Sequence, residues 1–116
     1  MDEGVLPATR VNGAFLPNFT GKRIVVIASV MKIHPSGRSM EVKTSDDRVI
    51  TVNFNRPLID SVKGLVEIHG VGSGKNVMTG EFFFEFPEEI SETFDLEAYN
   101  ECVNIINSIP SPWRSD

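Results

Sequence analysis

An all-β domain closed by one long α-helix is the fold class this sequence predicts, and three observations carry it. Short segments rich in β-branched and aromatic residues follow one another between residues 23 and 86. Pro, Gly, Asn or Asp stands in turn positions between them. From FDLEAYNECVNIINSIP (Phe94–Pro110) onward the apolar period changes from two to that of a helix. With 116 residues, 41% of them apolar, the chain forms one domain with one modest core.

The elements follow in order. Residues 1–10 read as a frayed extension. Asn12-Gly13 punctuates, and Ala14–Leu16 before Pro17 allows a short helical turn. RIVVIASVMKI (Arg23–Ile33) is apolar at both parities from Ile24 to Ala28, which predicts a strand covered on both faces. HPSG (His34–Gly37) is a tight turn. SMEVKTS (Ser39–Ser45) and VITVNF (Val49–Phe54) alternate across the turn at Asp46-Asp47, with Met40, Val42, Ile50, Val52 and Phe54 inward. Arg56-Pro57 breaks the third strand, and Pro57–Lys63 is a connector with room for a helical turn. GLVEIHGV (Gly64–Val71) is the fourth strand, GSGK (Gly72–Lys75) a loop, and NVMTGEFFFEF (Asn76–Phe86) the fifth strand. There Met78, Phe82, Phe84 and Phe86 share one parity, while Glu81, Phe83 and Glu85 share the other, which points outward. Five short strands with an irregular link between the third and fourth suit a Greek-key barrel of the oligonucleotide/oligosaccharide-binding (OB) type. The predicted organisation is a barrel with its N-terminal extension over residues 1–92, a helix over 93–110 and a tail over 111–116.

In the closing helix, Thr93 or Asp95 serves as N-cap and Pro110 stops the run. At ~100° per residue, Leu96, Ala98, Tyr99, Cys102, Val103, Ile105, Ile106 and Ile109 fall within about 180°, and Glu97, Asn100, Glu101, Asn104, Asn107 and Ser108 fill the other side. A helix on a single core needs an apolar stripe of only ~100°. The wider face contains two seams: Leu96, Tyr99, Val103, Ile106, and Ala98, Cys102, Ile105, Ile109. Either the helix caps the barrel mouth, or one seam joins other helices as well. A helix of about 15 residues is marginal alone in water, so it must dock on something.

Charge and motifs exclude several function classes. Residues 1–75 carry ten Lys/Arg against seven Asp/Glu, whereas residues 76–113 carry eight Asp/Glu and no Lys/Arg. The net charge of −5 speaks against a stand-alone nucleic-acid binder. The acidic part reads as a solvated face, and only the first part suits an approach to phosphates. GVGSGKN (Gly70–Asn76) fails as a phosphate loop: His69 stands where the first Gly is required, and Asn76 where Ser or Thr is. His34 and His69 are too few for a zinc site, and the lone Cys102 reads as a small buried hydrophobe. Neither a metal nor a cofactor is expected, and no constellation assigns a catalytic role. With one cysteine, no leader pattern and no run of ~18 apolar residues, the expected setting is a reducing compartment away from membranes.

Four stretches carry a resemblance: TRVNG (Thr9–Gly13), KIHPSG (Lys32–Gly37), GLVEIHG (Gly64–Gly70) and FDLEAYNECVNIINSIP (Phe94–Pro110). With the strand order, they make the sequence resemble the smallest subunit of replication protein A, the eukaryotic single-stranded-DNA-binding heterotrimer. The Phe-rich VMTGEFFFEF (Val77–Phe86) is a departure. The resemblance implies a non-catalytic nuclear subunit acting in DNA replication, repair and recombination. It implies that the C-terminal helix joins helices of the middle and large subunits in a three-helix bundle. The residues expected to meet those partners are Leu96, Tyr99, Cys102, Val103, Ile105, Ile106 and Ile109. The smallest subunit of the related telomeric complex has the same plan, and a stand-alone nucleic-acid-binding OB protein is the rival of another class.

Direct DNA contact is expected to be weak. An OB barrel binds single strands by stacking bases on exposed aromatics along a basic groove, usually over its second and third strands. The outward residues there are Glu41, Lys43, Val49, Thr51 and Asn53, none aromatic. Lys32, His34, Arg38, Lys43 and Lys75 are the candidates for phosphate contact, although each reads first as a solvated surface group.

Overall fold

The structure is a computed structural model and describes residues 8–58 and 62–108. Its strands are β1 (Thr9–Arg10), β2 (Arg23–Ile33), β3 (Ser39–Thr44), β4 (Val49–Phe54), β5 (Leu65–Gly72) and β6 (Val77–Glu85). Two helices follow, α1 (Glu88–Thr93) and α2 (Leu96–Ser108), and a 3-10 turn spans Leu16–Phe19. The sheet runs β1-β2-β3-β4-β6-β5, and β5 pairs back onto β2. Strands β2 to β6 therefore close the five-stranded barrel that the patterning predicts, with β4 and β6 parallel and the remaining barrel pairs antiparallel. Closure pairs most of the strand edges with one another, but β4 reaches β6 only as far as Gly80. The two-residue β1, inside the segment expected to fray, adds in parallel to β2.

The alternating residues fill the barrel. Ile24, Val26, Met40, Val42, Ile50, Val52, Ile68 and Met78 are at most 1% exposed. Val25 and Ile27, on the other parity of β2, are also buried, in line with a strand covered on both faces. Two bulges shape the wall. In β2, Met31 is the extra residue between Val30 and Lys32, and its side chain is thrown outward. In β6, Gly70 pairs with Gly80 but His69 pairs with Phe82, so Glu81 is extra.

The second bulge corrects the expected face of the Phe-rich strand. Before it, Met78 and Gly80 point inward; after it, the parity is inverted. Phe83 turns to the core and meets Phe54, ring centroids 5.7 Å apart. Phe82 and Phe84 point out, 49% and 56% exposed. Glycine permits the close approach at this point. A Cβ on Gly70 would lie 2.0 Å from the Thr79 carbonyl oxygen, and one on Gly80 2.5 Å from the Phe54 ring.

Leu58 packs on the core and Val62 is buried; residues 59–61, in the middle of the connector that has room for a helical turn, lie outside the described residues. The short α1 has no counterpart in the expected elements. It follows Pro87, and its Ser91 hydroxyl accepts the Leu65 N–H at 2.9 Å. Asp95 rather than Thr93 caps α2: the Ala98 N–H donates to Asp95 Oδ1 at 3.0 Å. The Thr93 hydroxyl instead donates to the Glu89 carbonyl.

Candidate functional site

Helix α2 docks by its polar flank. Asn12 is 1% exposed, and its Nδ2 donates to Asn100 Oδ1 at 2.8 Å and to Asn104 Oδ1 at 3.0 Å. The Ser45 hydroxyl donates to Asn100 Oδ1 at 2.9 Å. Asn107 Nδ2 donates to the Arg10 carbonyl at 2.9 Å. Between these polar contacts Val103 is wholly buried, outside the cluster that fills the barrel. The side opposite the apolar arc thus supplies most of the barrel contact. Asn12 commands it because a buried amide must find partners for both its donors and its acceptor. Its acceptor Oδ1 takes the Phe15 N–H at 3.2 Å.

An ion-pair and ring network extends the junction. Arg10 Nη1 donates to the Tyr99 hydroxyl at 3.3 Å and to Glu67 Oε1 at 3.2 Å. His69 Nε2 lies 2.8 Å from the other Glu67 oxygen. Burial opposes the charge on Glu67, but the His69 hydrogen bond and Arg10 prevail, and its carboxyl titrates below its ordinary value. Burial raises the Tyr99 phenol, against the pull of Arg10. Tyr99 also meets Phe94, which meets Phe86, at centroid distances of 5.8 and 5.6 Å.

The predicted partner residues therefore divide. Leu96 and Tyr99 are half-buried and Val103 is buried, so this seam, apart from Ile106 at its end, lies toward the barrel. Val103 is unavailable to another molecule, which corrects its expected role. Ala98, Cys102 and Ile105 are exposed, with Ile105 at 57%, and Ile106 is 37% exposed beside them. Cys102, expected to be buried, is on the open side. Ile109 lies outside the described residues.

The basic candidates do not form one groove. Lys32, His34 and Arg38 surround the β2–β3 turn at one end of β3, where Arg38 Nη1 donates to the Asn55 carbonyl at 3.2 Å and His34 Nδ1 lies 3.0 Å from Ser36 Oγ. Lys43 sits at the other end, 3.6 Å from Asp47. Lys75 lines a small hollow there with Arg48, Val49 and Asn76. Arg48, not singled out from the sequence, pairs with Asp46 at 3.3 Å. Between the two ends Glu41, Lys43, Val49, Thr51 and Asn53 face outward as predicted, without a ring among them. The exposed rings are on β6 instead, where Phe82 stacks on His69 with centroids 4.6 Å apart. Parity counting hides them, because no sequence signal marks Glu81 as a bulge other than the paired glycines. Among the described residues no group of His, Cys, Asp and Glu could hold a metal ion, and no helix is long and apolar enough to cross a membrane.

The sequence profile of the replication factor A protein 3 family matches residues 1–113. The chain belongs to this family. Among curated relatives, a 14 kDa subunit of replication protein A from Arabidopsis thaliana is 24% identical over 101 residues, 87% of this chain and 88% of that one. In fold, the chain is similar to a chain of the U. maydis replication protein A structure bound to single-stranded DNA, with a TM-score of 0.73 at 21% identity, covering 91% of this chain and 94% of that one. It is also similar to the telomere capping protein Ten1 from Saccharomyces pombe, with a TM-score of 0.67 at 11% identity, over 89% of this chain and all of that one. A chain of the S. pombe Stn1–Ten1 complex gives a TM-score of 0.66 at 11% identity, over 90% and 95% of the two chains. The fold the chain shares with these structures is a closed barrel with a C-terminal helix.

Proposed function

We propose that the chain is a non-catalytic structural subunit of a heterotrimeric single-stranded-DNA-binding complex of the replication protein A kind. It assembles through the outward stripe of α2. One observation carries this: the helix docks through Asn100, Asn104, Asn107 and Val103, which leaves Ala98, Cys102, Ile105 and Ile106 on its outer side. Ala98, Cys102 and Ile105 are spaced four and three apart, the repeat of a helical-bundle seam. Helices of the middle and large subunits would complete a three-helix bundle on it. DNA contact by this subunit is auxiliary, and its setting is the nucleus, in replication, repair and recombination. Family membership and the names of the relatives support the reading. A second reading, a small subunit of a telomere-capping complex, is favoured by the full coverage of Ten1. It uses the same stripe with a different partner helix. Co-expression with OB subunits that end in a helix tests assembly and separates the two. A stable complex with replication-type partners is expected. A chain that purifies alone in their presence contradicts the proposal.

A further inference from the structure

The second half of β6 has an unpaired edge among the described residues. Strand β4 ends at Phe54, opposite Gly80, but β6 continues to Glu85. Beyond Gly80 only β5 pairs with it. The Phe86 N–H donates to the Leu65 carbonyl, so by the antiparallel alternation Phe82, Phe84 and Phe86 direct their backbone groups to β5. Phe83 and Glu85 direct theirs the other way, and among the described residues nothing bonds to those backbone groups. They open into a cleft of about 610 Å³, walled on its far side by Arg56, Pro57 and Leu58. Unpaired backbone groups beside a cleft are a template for an added strand.

We infer that this edge takes up an extended peptide segment of a partner protein, one that alternates apolar with Lys or Arg residues. Residues of an added strand that face inward would cover the apolar surface of Phe54, Leu58 and Phe83, all of which line the cleft. Those facing outward would lie beside Phe82 and Phe84, whose rings are half exposed. Exposed rings next to carboxylates favour a cationic side chain, by cation–π attraction and by charge. The carboxylates are Glu81 and Glu85 on the edge itself, with Glu88 and Glu89 just beyond on α1. Glu81 also pairs with Arg23 at 2.6 Å, the Lys63 N–H lies 3.5 Å from Glu85 Oε2, and Arg56 is the basic residue among the described lining of the cleft. Between residues 76 and 113 the chain has no Lys or Arg, so this side repels an acidic strand and a nucleic acid. The inference stands apart from the assembly face of α2, which is on another element.

The test is an NMR titration of the full chain with synthetic peptides of alternating Val and Lys. The expected result is that the Phe83 and Glu85 amide signals shift and their hydrogen exchange slows. A Val/Glu peptide should bind at least about tenfold more weakly, a difference of ~1.4 kcal/mol. A Val/Lys peptide N-methylated along its pairing edge should lose binding, while one methylated on the opposite edge retains it. The charge swap Glu81→Lys with Glu85→Lys, checked for an unchanged melt, should invert the preference between the Lys and Glu peptides. Equal binding of both methylated peptides would overturn the proposal, as would shifts confined to α2. Concentration-dependent shifts at Phe83 without peptide would assign the edge to a second copy of the chain and overturn it as well. A stronger response to an oligothymidine than to the Val/Lys peptide would do the same.

Discussion

Asn12 is a buried amide whose three hydrogen bonds hold a loop and a helix together. Replacing it with Ala leaves Asn100 and Asn104 without that donor. Asn12→Ala should cost about 1–3 kcal/mol, read as a lowered denaturation midpoint with the barrel intact. Glu67 makes the same junction sensitive to acid. Its folded-state carboxyl titrates below the ordinary value of 4.5, so it binds protons less readily folded than unfolded. Its contribution is therefore complete above that value and drains away as pH falls through the lowered one. The stability gap between wild type and Glu67→Gln should be constant from pH 7 to about 5 and should narrow below about 4, checked by denaturant melts across that range. Such roles are not legible in the sequence. Asn12 precedes Gly13 and reads as turn chemistry, and nothing local says that its amide is aimed at a helix nearly ninety positions away.

The strands show what patterning can reach. β3 and β4 alternate without interruption, and the faces assigned to Met40, Val42, Ile50 and Val52 are those observed. β6 alternates just as cleanly in sequence, yet one inserted residue inverts its second half. Period-two counting carries no information about where a bulge falls, and tertiary pairing decides it. The close approach of the glycine pair makes the bulge testable. Gly70→Val should cost about 3 kcal/mol or more, since its side chain would collide with the Thr79 backbone. A melt indistinguishable from wild type would contradict this account of the bulge. In α2 the apolar arc is wider than the barrel contact uses: Val103 is buried while Ile105 stays exposed. Which seam is inward is not legible there, because the barrel contact depends on Asn12 and Arg10 rather than on hydrophobic period.

Over the whole molecule, the composition separates a mildly basic first part from an acidic last third. The fold places the acidic part along β6, α1 and α2, and it divides the basic candidates between the two ends of β3. Without a ring on the β3–β4 face, the stacking worth ~1–3 kcal/mol per base is missing there. The isolated chain should bind oligothymidine with a Kd of roughly micromolar or weaker, measured by fluorescence anisotropy at physiological salt. Submicromolar binding would contradict the expectation. The closed barrel and the helix are legible because each rests on a periodic pattern; the split of the basic residues is not, because it depends on which loops the topology brings together.

The proposed assembly through α2 is tested most directly by co-purifying two variants with the candidate subunits, alongside thermal melts of each alone. Ile105→Glu alters an exposed side chain and should leave the melt unchanged while abolishing the complex. Val103→Glu places a charge in the buried contact and should lower the melt sharply. An Ile105→Glu chain that keeps its partners, with an unchanged melt, would contradict assembly through the outward stripe.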